Sequence, residues 1–382
     1  MSVMLVQAAL ASLLSLALFA AVQDGPPQRR GPRGPETMTH DPVLIKTGDT
    51  YQLLNTGRGV HLRSSTDLKT WSNVTQVFDE TPAWVTELIP DFDGNMWAPD
   101  VFQKDGTYYV YYSVSQFGRN NSAIGVVSGK SLDPESPDYG WTDHGMVVRS
   151  VPGRDMFNAI DPHIIEDDDG RYWMSFGSYW NGIKLVQLAD NLTEVAEPQR
   201  WHTIAARHRA WKLDERDAGD AANPELDYGE KYSAQLQDAA LTSQNGSIEA
   251  PTIYKKGDWY YLFVSWDRCC RGLDSTYKVV VGRSKTIEGP YFDEAGQNMN
   301  YGGGTLVTKG FNESERWVAG GHCDVVDMDG EDLLVLHAYD RSDRGRPKLV
   351  IKPLQWDAHG WPSVNMAEDK ALEAEAEAED AQ

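Results

Sequence analysis

Repetition constrains this chain of 382 residues more than any other feature of it. Five segments follow one pattern: HDPVLIKTGDTYQLLNT from His40, APDVFQKDGTYYVYYS from Ala98, IDPHIIEDDDGRYWMSFGS from Ile160, EAPTIYKKGDWYYLFVS from Glu249 and HCDVVDMDGEDLLVLHAY from His322. Each opens with an acid or a histidine, in most cases beside a proline, and continues through an apolar run, an Asp/Gly turn and a second apolar run. Apolar runs separated by such turns read as strand pairs.

A second signature follows each pair, as in GVHLRSSTDLKTW from Gly59, GIKLVQLADNLTEV from Gly182 and YKVVVGRSKTIEGPY from Tyr277. It reads as a third strand, a polar turn and an outer strand. No long amphipathic helix stands between the strands to carry parallel crossovers, so each unit is an antiparallel sheet. Periods of this size mark solenoids or radial arrays, and four-stranded sheets set around an axis form a propeller. The expectation is therefore an all-β, five-bladed β-propeller with four antiparallel strands per blade and an active site at the mouth of its central channel. The first strand of each blade lines that channel, so the polar residues that open the repeats converge there.

Residues 1–22 are apolar and end in small side chains, as in a secretory signal peptide. Residues 23–37, rich in Pro, Gly and Arg, read as a flexible linker, and 38–365 as the propeller. Residues 205–245 read as a polar insertion between the third and fourth blades, and 366–382 as an acidic disordered tail. Asn-x-Ser/Thr sequons at Asn73, Asn120, Asn191, Asn245 and Asn312 point to a secreted, extracellular glycoprotein with no membrane attachment once the signal is removed. With three cysteines the fold is not stapled; the adjacent Cys269 and Cys270 form either a vicinal disulfide or two thiols. The formal net charge of −22 excludes a nucleic-acid partner, since binding phosphates needs clustered Lys and Arg.

If the repeats converge, Asp41, Asp100, Asp161, Glu249 and His322 meet at one mouth, with His40, His163 and Asp324 nearby. Carboxylates crowded into an apolar funnel cannot all ionise, so one holds a proton while another stays charged. Trp97, Phe117, Tyr179, Trp180 and Trp266 lie close to these anchors in sequence. Aromatic faces beside paired carboxylates suit glycoside hydrolysis. Neither a GxSxG elbow, a phosphate-binding GxxxxGK[ST] loop nor an HExxH motif is present.

The segments HDP (40–42), WAPD (97–100), NAIDPH (158–163), FGSYWNGI (176–183), SIEAP (247–251), WDRCCRG (266–272) and GGHCDVV (320–326) resemble glycoside hydrolase family 43, with the nearest likeness to endo-α-1,5-L-arabinanases. The resemblance implies a five-bladed propeller and an inverting mechanism. It assigns Asp41 as general base, Glu249 as general acid, and Asp161 as the residue that raises and orients the acid. Trp97, Asn158, Ile160 and Ser178 then line the sugar subsites, joined by the aromatics Phe117 and Trp180. His322 is expected to face a metal ion, usually calcium, held largely through water, and no organic cofactor is implied. The expected substrates are plant cell-wall arabinan and arabino-oligosaccharides, cleaved internally by a monomer. An exo-acting arabinofuranosidase or β-xylosidase of the same fold is the alternative, and a non-catalytic sugar-binding propeller a more distant one. Gly320 departs from the family pattern, which has Pro before the channel histidine.

Overall fold

The computed structural model describes residues 37–207, 247–311 and 315–367. The signal peptide, nearly all of the linker and insertion, and the acidic tail beyond Ala367 lie outside the described residues; Met366, expected to open the tail, is instead buried in the core. Ala205, expected to open the insertion, closes the strand Trp201–Ala205 instead.

Each of the five repeats folds as read. Their hairpins are Val43–Thr47 with Thr50–Asn55, Asn95–Lys104 with Thr107–Val114, His163–Glu166 with Tyr172–Phe176, Ile248–Lys256 with Trp259–Trp266, and Trp317–Met328 with Glu331–Asp340. Third strands follow at His61–Ser65, Ser122–Gly129, Ile183–Leu188, Lys278–Ser284 and Arg346–Pro353. The turns set the register. Asp105-Gly106 has φ values of 49° and 70°, and Asp329-Gly330 of 59° and 88°. Positive φ at both central residues twists a two-residue hairpin in the sense of its strands.

The expected five blades of four strands need correction: the strands form six sheets of three to five strands. The fifth repeat keeps only three strands, because the chain after Pro353 leaves its sheet. Gln355–Trp356 pairs antiparallel with Pro362–Asn365, which pairs in parallel with Thr308–Lys309, and these short strands make the sixth sheet. The second sheet gains a fifth strand from Gly57–Arg58.

Apolar clusters fill the space between successive sheets. Leu54 and Leu62 pack with Val101 and Val110, Tyr111 and Ile124 with Met174 and Phe176, and Trp173 and Leu185 with Leu262 and Val264. Phe263 and Val281 then meet Leu334 and Leu336, and Leu44 and Leu53 meet Leu333 and Val335, so the fifth sheet returns to the first. A bridge between Met38 and Lys348 fastens this closure. Emptying such a site, for example at the fully buried Trp173, costs about 3–5 kcal/mol. Among the described residues no helix is long and apolar enough to cross a membrane.

One backbone irregularity recurs in every inner strand. Asp41, Ala98, Asp161, Ala250 and His322 all have φ between 46° and 61°. A non-glycine residue in this left-handed region is uncommon and costs of order 1–3 kcal/mol. Four of the five precede a proline. Register shifts mark the point at Trp97/Asp100, Glu249/Thr252 and Gly321/Asp324.

Candidate active site

The strained positions are held by the second strand of the preceding sheet. Thr56 Oγ1 accepts the Ala98 N–H at 2.8 Å, Ser113 Oγ the Asp161 N–H at 3.0 Å, and Ser265 Oγ the His322 N–H at 2.8 Å. His337 Nδ1 accepts the Asp41 N–H at 3.1 Å and so closes the ring. Between the third and fourth sheets the arrangement changes. Asp161 Oδ2 itself accepts the Ala250 N–H at 3.2 Å, which frees Ser178 Oγ to donate to Glu249 Oε2 at 2.7 Å.

Asp41, Asp161, Glu249 and His322 thus come together in one buried, electrostatically coupled group. Asp41 Oδ1 lies 3.1 Å from His322 Nδ1, and Thr56 Oγ1 donates to Asp41 Oδ2 at 2.5 Å. Burial alone would raise the Asp41 carboxyl, but His322 and then His40 outweigh it and hold Asp41 well below the usual carboxylate range. Burial also opposes charge on His322, yet Asp41, with smaller help from Asp161 and Glu249, pushes that imidazole up to about 9. Asp41 and His322 therefore form an ion pair at neutral pH.

The other two carboxyls behave in the opposite way. Burial pushes Asp161 up to about 8, with His322 opposing and Glu249 and Asp41 reinforcing the rise. Glu249 is raised as well, mainly by burial, against hydrogen bonds from Ser178 and Tyr277 and the charge of His322. The pair retains a proton far into the range where carboxyls normally ionise. One cluster therefore holds a charged carboxylate beside a protonated carboxyl, a combination suited to acid–base chemistry.

Asn158 is buried and accepts from Ser122 Oγ at 2.7 Å, and Ile160 is buried beside Asp161. Trp97 is half-buried and precedes its left-handed residue as Glu249 precedes Ala250. Trp180 is buried, and its Nε1 has no partner. Phe117 stands apart from the carboxylates on an exposed loop, 83% accessible, where it lines a cavity of about 610 Å³ with Gln116, Arg119, Asn121 and Pro152. Asp100 and His163 serve the layer beneath: Asp100 accepts the Ile164 N–H at 2.7 Å and lies 3.7 Å from His163.

The sequence did not single out Thr56, Tyr277 or His337. A signal existed: fifteen residues separate Asp41 from Thr56, Ala98 from Ser113, Ala250 from Ser265 and His322 from His337. Gly320 also finds its reason here. Its N–H donates to Tyr277 O at 3.1 Å, a bond that proline could not make. At Gly321 a Cβ would come within 2.5 Å of the Tyr277 ring. Cys269 and Cys270 are joined in a disulfide, and Cys323 is a buried free thiol. Of the sequons in described segments, Asn73 and Asn191 are exposed, whereas Asn120 is buried and donates to Asp155 O and Phe157 O, so it cannot carry a glycan.

Calcium takes six to eight oxygen ligands. The His322 ring is engaged with Asp41, and the one trio of potential metal ligands gathered among the described residues, His40, Asp41 and His337, offers two imidazoles and one carboxylate. This set gives calcium no oxygen cage, so an ion near His322 would be held by water, as the resemblance implies.

Fold and site define an all-β propeller that gathers three carboxyl groups and a histidine from the starts of its inner strands. The family model for glycosyl hydrolases family 43 matches residues 36–362. The chain belongs to that family. It is 49% identical over 329 residues to an extracellular exo-α-(1→5)-L-arabinofuranosidase of Cellvibrio japonicus, covering 86% of this chain and 87% of that protein. It is 38% identical over 330 residues to an extracellular endo-α-(1→5)-L-arabinanase of Bacillus subtilis, covering 85% and 87%. The solved Cellvibrio cellulosa α-L-arabinanase complexed with arabinohexaose superposes with a TM-score of 0.77 at 46% identity, covering 89% of this chain and 98% of that one. The likeness expected toward endo-acting enzymes therefore extends to an exo-acting relative at higher identity.

Proposed function

We propose that this protein is a secreted hydrolase that cleaves α-1,5-L-arabinofuranosyl bonds of arabinan with inversion. The observation that carries the reading is the division of the buried carboxyls into one held ionised by His322 and a pair that retains a proton. Asp41 takes the proton of a water that attacks the anomeric carbon, and Glu249 protonates the departing oxygen on the opposite face. Ser178 and Tyr277 orient the Glu249 carboxyl. Asp161 and Glu249, both raised by burial, share the retained proton because a second negative charge is disfavoured beside the first, and Asp161 Oδ2 fixes the Ala250 main chain next to the acid. Trp97, Ile160 and Trp180 supply apolar walls for the sugar at the cut, Asn158 a polar contact, and Phe117 a stacking face farther out.

The mode of attack favoured is exo, on the 49% identity to the exo-acting relative. The endo mode that the motifs suggested is the second reading, supported by the 38% identity to the Bacillus subtilis enzyme. Digestion of debranched linear arabinan with sizing of the earliest products separates them. Exo action yields one short product from the first minutes, and endo action a ladder of oligomers. Absence of any cleavage rejects the substrate.

A further inference from the structure

Two of the side chains that hold the left-handed positions are not hydroxyls: the Asp161 carboxylate, which holds Ala250, and the group that holds Asp41 itself. Thr56, Ser113 and Ser265 are hydroxyls, but the member that faces Asp41 is the imidazole of His337. We propose that His337 is a positioning residue for the reaction: by accepting the Asp41 N–H it fixes the strained backbone that aims the Asp41 carboxylate at the attacking water. The inference rests on the assignment of Asp41 as the base.

The geometry around the ring supports this. His337 is fully buried, and because Nδ1 accepts from a backbone N–H, its own proton sits on Nε2. Nε2 faces the Tyr339 hydroxyl at 3.2 Å, and that hydroxyl accepts the Cys270 N–H at 2.7 Å. The His337 ring stacks on His40 with centroids 4.1 Å apart and lies 5.7 Å from the Tyr277 ring. Held on both nitrogens and packed against His40 and Tyr277, the ring cannot turn away from Asp41. A hydroxyl in its place would satisfy the same N–H but would have no reach to Tyr339. The backbone of the base is thereby tied to the segment that carries the vicinal Cys269–Cys270 disulfide. Shifts of about 1 Å in a reacting group can cost on the order of 100-fold in rate, so a hold on the Asp41 main chain belongs to catalysis as well as to folding.

The test compares steady-state constants on linear arabino-oligosaccharides for His337→Phe, His337→Asn, Tyr339→Phe and Asp41→Ala, with thermal unfolding measured alongside. Phe keeps the ring but cannot accept; Asn presents an oxygen near the Nδ1 position. The expected result is a fall in kcat of about 100-fold for His337→Phe with KM within about twofold. His337→Asn should recover at least about tenfold of that loss, and Tyr339→Phe should lower kcat at unchanged KM. If His337→Phe does not fold, the Asn and Tyr339 variants decide, and wild-type kcat in Tyr339→Phe then overturns the proposal. It is likewise overturned if His337→Phe keeps kcat within about threefold while Asp41→Ala is inactive, or if Asn brings no recovery. Full activity in Asp41→Ala would instead remove the base assignment itself.

Discussion

Glu249→Gln is expected to lower turnover of arabino-oligosaccharides by about 10²–10⁴-fold, the usual contribution of a positioned proton donor. Binding of the same oligosaccharide, measured by calorimetry, should change by less than about threefold, because Gln preserves the volume and the polar contacts to Ser178 and Tyr277. The substitution removes a transferable proton and little else. A loss confined to kcat marks an interaction made in the transition state, whereas a variant that hydrolyses at the normal rate is incompatible with Glu249 as the acid.

The second large effect concerns pH. Asp41 is held ionised to well below the usual carboxylate range, so activity should persist into mildly acidic solution. Glu249 must be protonated, and it and Asp161 are both raised, so activity should fall on the alkaline side as the pair loses its proton. Asp161→Asn removes one of the two charges. The alkaline limb should then move to lower pH, and kcat should drop by about 100-fold as the titratable partner of the acid is lost, while the Asn oxygen can still accept the Ala250 N–H.

Stability follows the same linkage with a defined sign. For Asp161, raised to about 8, the contribution is fully present below the ordinary carboxylate pKa of 3.8 and is lost as pH rises through about 8. Asp41 is the reverse: its contribution is present above its ordinary pKa and is lost as pH falls through its depressed one. Melting temperatures of wild type and Asp161→Asn should consequently converge, or cross in favour of the variant, between pH 5 and pH 9. A wild-type advantage that grows toward pH 9 contradicts the burial of an uncompensated charge at Asp161.

Much of this was legible in the chain because a propeller writes its geometry repeatedly. Alternating apolar runs around Asp-Gly turns located each hairpin, and the residues that open the repeats named most of the cluster that Asp41, Asp161, Glu249 and His322 form. The fate of the fifth repeat was not legible. Gln355–Trp356 and Pro362–Asn365 look like outer-strand material, and only the positions of Thr308–Lys309 and Pro353 in space decide that they form a sheet of their own. Exact equivalence within the repeats was also hidden. By sequence Asp100 and Glu249 both pass for anchors of the same rank as Asp41. The left-handed positions are Ala98 and Ala250, so Asp100 stands two residues after its left-handed residue and Glu249 one residue before. A dihedral angle leaves no mark on composition. The clasp residues Thr56, Ser113, Ser265 and His337 were visible as a constant spacing, yet three are common strand-end hydroxyls and the fourth differs in kind, so pattern alone gave them no role.

The assignment of Asp41 and Glu249 to opposite faces of one sugar is tested most directly by the anomeric form of the first product. Proton NMR of a fresh digest of linear arabino-oligosaccharides should show the new reducing end appearing first as the β anomer from an α-linked substrate, before mutarotation mixes the two. The α anomer appearing first would mean retention through a covalent intermediate, and would contradict a water-activating base at Asp41.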